Sequence, residues 1–414
     1  MNINVIKMVE KLVPVLRFVA VLLLMASATG SIKAQESIRI PDNIVCGAER
    51  TDLYIDLIKG KRVGLVANPT SRIGNVHLLD SLMSLGVDVR RIFSPEHGFR
   101  GEAEAGETLD DNRDPLTGVE IISVYKKKDK KPSVDEIMDL DLILFDIQDV
   151  GVRFYTYIST LHYMMEACAE SGTRLIILDR PNPNGFYVDG PVREKGFESF
   201  VGVHEVPVVY GMTIGEYGRM INGEGWLNNS ATCQLTIISC LNYDHLCTYN
   251  LPVKPSPNLP NLESVILYPS LCYFEGSVVS LGRGTDFPFQ VYGHPDMTGD
   301  FSFTPRSIPG ASLHPKHEGE LCKGVFIGKE GADMIMKDKR IRLEWVINAY
   351  NDLDVGEEFF TGYFDTLMGN SWVREDIIKG VPEDQIREKW AAGVKDFIKV
   401  REKYLLYPDF KYGD

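Results

Sequence analysis

The chain has 414 residues, a length at which a polypeptide usually divides into more than one domain. Its 44% hydrophobic and 25% charged residues are typical of a soluble globular protein. The formal net charge of −14 argues against a nucleic-acid backbone or an anionic membrane surface as the main partner, and leaves a small anionic ligand open.

The N-terminus has the layout of a secretory signal peptide. Three basic residues precede the apolar run at residues 18–26, and small residues follow, with cleavage predicted after Ala34 or, earlier, near Ala28. The apolar run is shorter than the roughly 20 residues that a membrane-spanning helix needs. We therefore expect residues 1–34 to be removed and the mature chain, without a membrane span, to be periplasmic or secreted.

From residue 61 onward, apolar runs alternate with helical patterns. Buried strands are predicted at residues 61–68, 87–93, 140–147 and 173–179, with a shorter β run at 120–125. Helices are predicted at residues 78–83, after the capping box that starts at Ser133, at 158–168 with Gly172 as the stop, and after Thr213. This alternation predicts an α/β fold with a mostly parallel, doubly wound sheet in a domain of residues 35–230.

The pattern changes past about residue 230. Residues 253–262 are proline-rich and extended, and Cys272 is predicted to lie in an apolar strand. Helices are predicted near residues 340–353 and 382–403, with Pro382 at the first position of the second helix. We expect a smaller α+β domain at residues 231–414.

Three polar clusters follow predicted strands, at residues 94–106, 146–153 and 179–185. Parallel strands place their carboxyl ends on one edge of a sheet, where α/β proteins bind ligands. The three clusters are therefore expected to converge.

The motifs of several common enzyme classes are absent from the sequence. It contains no G-x-G-x-x-G or P-loop motif for NAD or ATP, no G-x-S-x-G for a serine hydrolase and no H-E-x-x-H for a zinc protease. Cys233, Cys240, His245 and Cys247 lie close together in sequence, but their spacing favours a disulfide or plain burial over a zinc site. No cofactor and no metal are expected.

Two glutamates are the candidate catalytic residues. Glu96 follows a buried strand, where partial burial could tune its proton affinity for acid catalysis, although a loop cap or a surface charge would give the same pattern. Glu275 interrupts an apolar run, which is costly unless the acid is paired or functional, and an edge strand with this side chain in water is about equally consistent.

Polar and aromatic residues near the predicted strand ends are candidates for substrate binding. A guanidinium suits a substrate carboxylate, and an ordinary ion pair with a nearby aspartate is the alternative for each arginine. The other candidates could hydrogen-bond a polar substrate, stack on a sugar ring, or simply cap loops and pack. The set comprises His97, Asp146, Gln148, Arg153, Tyr155, Arg180, Asn182 and Arg283.

Five long motifs in a fixed order resemble one family, the NamZ-type exo-β-N-acetylmuramidases. They are SPEHGFRG at residues 94–101, FDIQDVGVRFYTYISTL at 145–161, LDRPNPNG at 178–185, VVYGMTIGE at 208–216 and PSLCYFEGSVVSLGRGTDFPFQ at 269–290. The resemblance covers essentially the whole mature chain. One departure is Glu104, where the family pattern leads us to expect a neutral residue.

The resemblance implies a periplasmic or secreted glycosidase that removes β-1,4-linked N-acetylmuramic acid from the non-reducing ends of peptidoglycan fragments. It also implies a Rossmann-like domain, a smaller second domain and an interdomain cleft with two glutamates, which match Glu96 and Glu275. Its partners would be peptidoglycan-derived saccharides or muropeptides. The alternatives are a non-catalytic periplasmic muropeptide-binding protein of cell-wall recycling and, less favoured, a wall amidase or esterase.

The expected mechanism assigns different tasks to the two acids. Glu96 would protonate the leaving oxygen, and Glu275 would stabilise an oxocarbenium-like transition state as nucleophile, as base, or by supporting the acetamido group of the substrate. Carboxyl groups about 5–5.5 Å apart would indicate retention of configuration, and about 6.5–9.5 Å inversion.

Overall fold

A seven-stranded sheet organises the N-terminal part of the chain. The computed structural model describes residues 37–96, 98–100, 112–125 and 130–411. In chain order the strands are β1 (Arg62–Ala67), β2 (Arg72–Ile73), β3 (Val76–His77), β4 (Asp88–Ser94), β5 (Asn112–Arg113), β6 (Glu120–Ser123), β7 (Leu142–Asp146), β8 (Arg174–Leu178), β9 (Leu235–Ile238), β10 (Val291–His294), β11 (Phe301–Phe303) and β12 (Cys322–Phe326). The large sheet has the order β5-β6-β4-β1-β7-β8-β9, and its pairs are parallel except for the edge pair β5-β6. The predicted α/β fold with a mostly parallel sheet is confirmed.

Helices cover both faces of this sheet and build most of the C-terminal part. The α-helices of the described residues are Ile55–Ile58, Leu78–Ser84, Tyr157–Ser171, Ile214–Gly223, Leu262–Leu271, Gly328–Asp338, Glu344–Leu353, Gly362–Met368, Trp372–Ile378 and Glu383–Arg401. The helix predicted to stop at Gly172 does so there, because this glycine adopts the left-handed conformation with φ 73° that ends helices at low steric cost.

The central strand β7 shows how the layers are held together. All five of its residues are buried, so both faces of the strand are covered. Leu144 belongs to the same apolar cluster as Leu78 of one helix, and Phe145 belongs to a second cluster with Leu161 of another. Alternate side chains of one strand therefore pack against helices on opposite faces, as expected for a sheet between two helical layers.

The second apolar cluster continues into the C-terminal part of the chain. It joins Phe145 of the sheet to Leu267, Trp345 and Trp390, and the described residues from Ile38 onward form one compact unit. This part contains a three-stranded antiparallel sheet of order β10-β12-β11 among helices. The smaller α+β region is thus confirmed.

Some local predictions differ from the structure. Cys272 lies in a 3₁₀ helix, Cys272–Gly276, that continues directly from the helix Leu262–Leu271, so the predicted strand there is wrong. Pro382 precedes the helix Glu383–Arg401 as its N-cap residue. Strand β9 joins the large sheet beyond residue 230, and the domain division predicted at that residue remains a prediction.

The predicted signal peptide, residues 1–34, lies outside the described residues. Within the residues that the structure describes, no helix has both the length and the apolar character needed to cross a membrane.

Candidate active site

Glu96 lies two residues beyond the end of β4. The strand remains paired up to this point, where the Val124 N–H donates to the Ser94 carbonyl at 2.9 Å, and the Gly98 N–H then closes a turn onto the Pro95 carbonyl at 3.2 Å. The Thr156 hydroxyl, just before the helix Tyr157–Ser171, donates to Glu96 Oε2 at 3.0 Å. The carboxylate is therefore held where the carboxyl ends of β4 and β7 lead into loops.

Glu275 comes from a different kind of element. It occupies the 3₁₀ helix Cys272–Gly276, and this helix packs closely against the helix Gly362–Met368. The fit leaves no room at Gly276, where a Cβ atom would lie 2.3 Å from the Phe364 nitrogen. The Thr361 N–H adds a hydrogen bond of 2.9 Å to the Gly276 carbonyl.

Both glutamates line one cavity of about 500 Å³, a volume suited to a small ligand. Two further predicted site residues, Tyr155 and Arg283, line it as well. The described residues that line it are Glu96, Tyr125, Phe154, Tyr155, Thr156, Val201, Ser256, Leu259, Tyr268, Cys272, Glu275, Arg283, Phe289, Ala311, Ser312, Leu313, His314, Tyr363 and Leu367. Segments far apart in sequence thus meet here, and aromatic rings form much of the wall.

Glu275 is paired with a cation. Arg283 Nε donates to Glu275 Oε1 at 2.6 Å, and the guanidinium carbon lies 5.0 Å from the centre of the Phe289 ring. Burial disfavours the charged form of Arg283, but the Glu275 carboxylate outweighs this effect and raises the pKa of the guanidinium above its ordinary value. This arrangement suits a carboxylate that acts as an anion.

Two hydroxyl groups and an ammonium are among the described neighbours of Glu96. Besides Thr156, it interacts with Tyr125, whose pKa is raised first by burial and then by the Glu96 charge. The ammonium of Lys130 lies 3.3 Å from the centre of the Tyr125 ring, and burial lowers its pKa although Glu96 opposes that effect. The described contacts of Glu96 thus include hydroxyl groups, and those of Glu275 include a guanidinium.

Asp146, Arg180 and Gln148 join the second and third polar clusters to each other. Arg180 binds the Asp146 carboxylate with two hydrogen bonds of 2.6 and 2.9 Å, and both side chains are buried. Gln148 Nε2 donates to the carbonyls of Asp149 and Pro181 at 2.8 and 2.7 Å. The second and third clusters thus pack against each other, and none of these three side chains lines the cavity.

Arg153 and Asn182 also have protein partners in the interior. The Arg153 guanidinium donates to four backbone carbonyls at 2.7–2.9 Å, those of Pro191, Val206, Leu367 and Met368. Burial lowers its pKa to about 10. Asn182 donates to the Met212 carbonyl and accepts from the Asn184 N–H, both at 2.8 Å. Neither side chain lines the cavity.

His97 lies outside the described residues. The substrate-binding roles predicted for the eight residues stay predictions, and the structure brings Tyr155 and Arg283 to the cavity with the two glutamates. Thr156 and Phe289 also line it; they stand inside the quoted motifs and could have been selected from them, and Tyr268, a further lining residue, immediately precedes one of these motifs. Tyr125, Tyr363 and residues 311–314 carry no comparable signal, since only the folded chain brings them together.

The cysteine-rich segment is not arranged around a metal. All seven cysteines are buried free thiols, and His245 pairs with Glu216 at 3.1 Å. Among the residues that the structure describes, no group of three or more histidine, cysteine, aspartate or glutamate side chains could hold a metal ion.

Family models for the two parts of exo-β-N-acetylmuramidase NamZ match this chain. The N-terminal one matches residues 63–263, and the C-terminal one matches residues 266–407. The chain belongs to the exo-β-N-acetylmuramidase NamZ family. The resemblance inferred from the five motifs is confirmed.

The similarity of this NamZ family member to its relatives extends over most of its length. It is 38% identical over 376 residues to the peptidoglycan β-N-acetylmuramidase NamZ of Bacillus subtilis, which covers 86% of this chain and 89% of that protein. A DUF1343 family protein from Bacteroides fragilis superposes with a TM-score of 0.82 at 45% identity, covering 89% of this chain and 100% of the other. A second DUF1343 family protein from Bacteroides fragilis superposes with a TM-score of 0.73 at 27% sequence identity, and the match covers 88% of this chain and 99% of that protein.

Proposed function

We propose that this protein is an exo-acting glycosidase that hydrolyses β-1,4-linked N-acetylmuramic acid from the non-reducing ends of peptidoglycan fragments. Membership of the exo-β-N-acetylmuramidase family and the Bacillus subtilis relative support the reaction and its substrate. The single observation that carries the assignment to a site is that Glu96 and Glu275 line the same cavity. Glycoside hydrolysis commonly uses such a pair of carboxyl groups.

The surroundings of the two carboxyl groups support a division of roles. Glu275, paired with Arg283, is the anion that stabilises positive charge developing on the sugar ring. Glu96, hydrogen-bonded by the Thr156 hydroxyl, is the acid that protonates the leaving oxygen as the glycosidic bond breaks. Water then supplies the hydroxyl group of the released sugar.

The cavity wall supports a sugar as the ligand. Tyr125, Tyr155, Tyr268 and Tyr363 combine apolar ring faces with hydroxyl groups, and such walls suit ligands that are polar at their edges and apolar on their faces. Arg283 is the arginine among the described residues that line the cavity, and its charge also favours an anionic sugar such as one that carries a lactyl carboxylate.

The N-terminal segment supports the proposal that the enzyme works outside the cytoplasm. A basic segment, a short apolar run and small residues precede the family-matched region, and this layout supports export with removal of residues 1–34. The substrate would then be met in the periplasm or outside the cell. Mass spectrometry of the protein recovered from the producing cell would give the N-terminus, and an uncleaved Met1 in the soluble fraction would contradict the proposed export.

The proposed reaction is tested with a chromogenic N-acetylmuramic acid β-glycoside. We expect release of the chromophore by the wild type and its loss in Glu96→Gln, because the amide cannot donate the proton to the leaving oxygen. Glu205→Gln is the matched control, since Glu205 is an exposed glutamate outside the cavity. Circular dichroism establishes that each variant is folded.

Three outcomes would decide against the proposal. A wild type that binds the glycoside but releases no chromophore would be a muropeptide-binding protein. Near-wild-type turnover by Glu96→Gln would remove Glu96 from the mechanism. Release of peptides instead of N-acetylmuramic acid from muropeptides, read by mass spectrometry, would identify an amidase.

A further inference from the structure

The segment of residues 311–317 joins the cavity wall to the turn that carries Glu275. Ser312 and His314 line the cavity. Two residues further on, the Lys316 side chain extends to the backbone of residues 274–279 and donates hydrogen bonds to it. The proposed mechanism assigns no role to this lysine.

The Lys316 ammonium is surrounded by carbonyl oxygens. Its Nζ atom lies 2.5–3.5 Å from the carbonyl oxygens of Phe274 (2.6 Å), Glu275 (3.2 Å), Ser277 (2.5 Å) and Val279 (3.5 Å). The three shorter contacts match the three N–H groups of an ammonium.

The carbonyls of Gly276 and Val278, which lie between those bound by Lys316, also have hydrogen-bond partners. His317 Nε2 lies 2.8 Å from the Val278 carbonyl, and the Thr361 N–H donates to the Gly276 carbonyl at 2.9 Å. Lys316 and His317 together thus bind five of six consecutive carbonyls, 274–279. These carbonyls belong to the last three residues of the 3₁₀ helix Cys272–Gly276 and to the three residues after it, and the C-terminal end of a helix attracts cations.

Both the side chain and the backbone of Glu275 are therefore bound by cationic side chains. Arg283 binds its carboxylate, and Lys316 binds the backbone from which the side chain extends. Burial lowers the pKa of Lys316, and the charge of Glu275 opposes this effect. Partly burying an ammonium has a desolvation cost, which the carbonyl contacts must offset.

We propose that Lys316 is a positioning residue for Glu275: by binding the carbonyls of the 274–279 turn, it fixes the Glu275 carboxylate at the cavity. The expected effect of Lys316 on catalysis rests on the proposed glycosidase function. Its expected effect on the position of Glu275 rests on the hydrogen bonds alone. The segment of residues 311–317 also lines the cavity at Ser312 and His314. The same segment would therefore contact the substrate and position Glu275.

The test compares Lys316→Met with Lys316→Arg on the chromogenic N-acetylmuramic acid β-glycoside. Loss of the ammonium removes its hydrogen bonds to the turn and lets the backbone at Glu275 shift, and a displacement of a catalytic group by about 1 Å costs on the order of 100-fold in rate. We expect Lys316→Met to lower kcat about 10- to 100-fold with KM within about twofold of the wild type. Lys316→Arg, which keeps a charged donor, should recover most of the lost kcat.

Lys329→Met is the matched control, since it removes an exposed lysine whose partner is Asp333, and it should leave kcat unchanged. Thermal unfolding measures the folded fraction of each variant. If Lys316→Met does not fold, Lys316→Gln carries the comparison, because its amide still donates to two carbonyls and the expected loss of kcat is smaller but in the same direction.

A crystal structure of Lys316→Met, or of Lys316→Gln, provides a readout that does not depend on activity. The inference expects the Glu275 carboxylate to be displaced or disordered, and an unchanged carboxylate position would overturn it. An unchanged kcat in a folded variant would also overturn it, as would a rise in KM alone, which would indicate substrate binding by Lys316. Failure of the wild type to release chromophore would instead contradict the proposed function.

Discussion

Glu96 and Glu275 line one cavity, where Glu275 contacts the Arg283 guanidinium and Glu96 accepts a hydrogen bond from the Thr156 hydroxyl. Different environments are the general means by which two carboxyl groups in one enzyme perform different tasks. Arg283 is therefore a residue whose replacement should affect Glu275 directly, because its guanidinium contacts that carboxylate. Arg283 could bind substrate or orient the Glu275 carboxylate, and kinetic measurements can distinguish these two roles.

Replacing Arg283 with lysine should lower kcat about tenfold, with KM nearly unchanged. Lysine keeps the charge but lacks the planar Nε–H group that contacts Glu275 at 2.6 Å. Steady-state kinetics on the chromogenic glycoside measures both parameters. Arg219→Lys is the control, since Arg219 donates to the Tyr404 and Leu405 carbonyls and does not line the cavity. A rise in KM at constant kcat would show that Arg283 binds substrate.

The sequence could select the two glutamates but not the partners of the arginines. The family resemblance matched both glutamates, and Glu96 also stands after a clear strand. Arg153 looked equally suited to an anion, yet its four carbonyl partners come from residues 191, 206, 367 and 368, which no local pattern connects. Whether an arginine faces a ligand or the protein interior depends on such distant segments.

At the scale of elements, the cavity combines a strand end with a helix end. Glu96 follows β4, as expected for a ligand site in a parallel sheet. Glu275 lies in a 3₁₀ helix, where an apolar run with one acid had predicted a strand. The prediction failed because short apolar runs are ambiguous, and here a long helix, Leu262–Leu271, leads directly into the run.

Gly276→Ala should disturb the element that carries Glu275. An added Cβ would lie 2.3 Å from the Phe364 nitrogen, so the 3₁₀ helix and the helix Gly362–Met368 would have to move apart. We expect a lower melting temperature and a lower kcat. Gly362→Ala is the control, because nothing lies within 4 Å of its added Cβ. Equal behaviour of the two variants would show that this packing does not position Glu275.

His77 connects a helix start with the Glu96 loop and should make stability depend on pH. Its Nδ1 accepts from the Leu79 N–H at 3.2 Å, and its ring packs 4.6 Å from that of Phe99. Burial lowers the pKa of His77 to about 4, whereas the unfolded residue has a pKa of about 6.5. Between these values the unfolded chain binds a proton that the folded chain does not, so stability is complete above about pH 6.5 and falls toward pH 4.

His77→Asn keeps a helix-capping oxygen but removes this titration. Urea unfolding at pH 7.5 and pH 5 should therefore show a smaller loss of stability in the variant, by about 1–2 kcal/mol. The remaining buried histidines are common to both proteins and cancel in the comparison. Parallel losses in the two proteins would contradict the assignment.

For the whole molecule, the sequence predicted the alternating α/β region because its strands are continuous apolar runs covered on both faces. It did not predict the edges of the sheet. Strand β5 has two residues, and three of the four residues of β9 are only partly buried, so neither carries a strong periodic pattern. The order of the strands depends on long-range pairing, which a linear pattern does not contain.

One apolar cluster extends from Val66 of the sheet to Trp390 near the C-terminus, so we expect the two family-matched parts to unfold together. Far-UV circular dichroism reports on the whole chain. Tryptophan fluorescence reports mainly on the C-terminal part, because three of the four tryptophans, Trp345, Trp372 and Trp390, lie there.

The two signals should show one shared midpoint in thermal unfolding, and activity should be lost at the same temperature because Glu96 and Glu275 come from different parts. The Glu205→Gln variant, altered only at an exposed side chain, should reproduce that shared midpoint. Separate midpoints, with fluorescence changing before the dichroism, would instead show that the C-terminal part unfolds independently. In that case activity would follow the less stable part, since the cavity needs both glutamates.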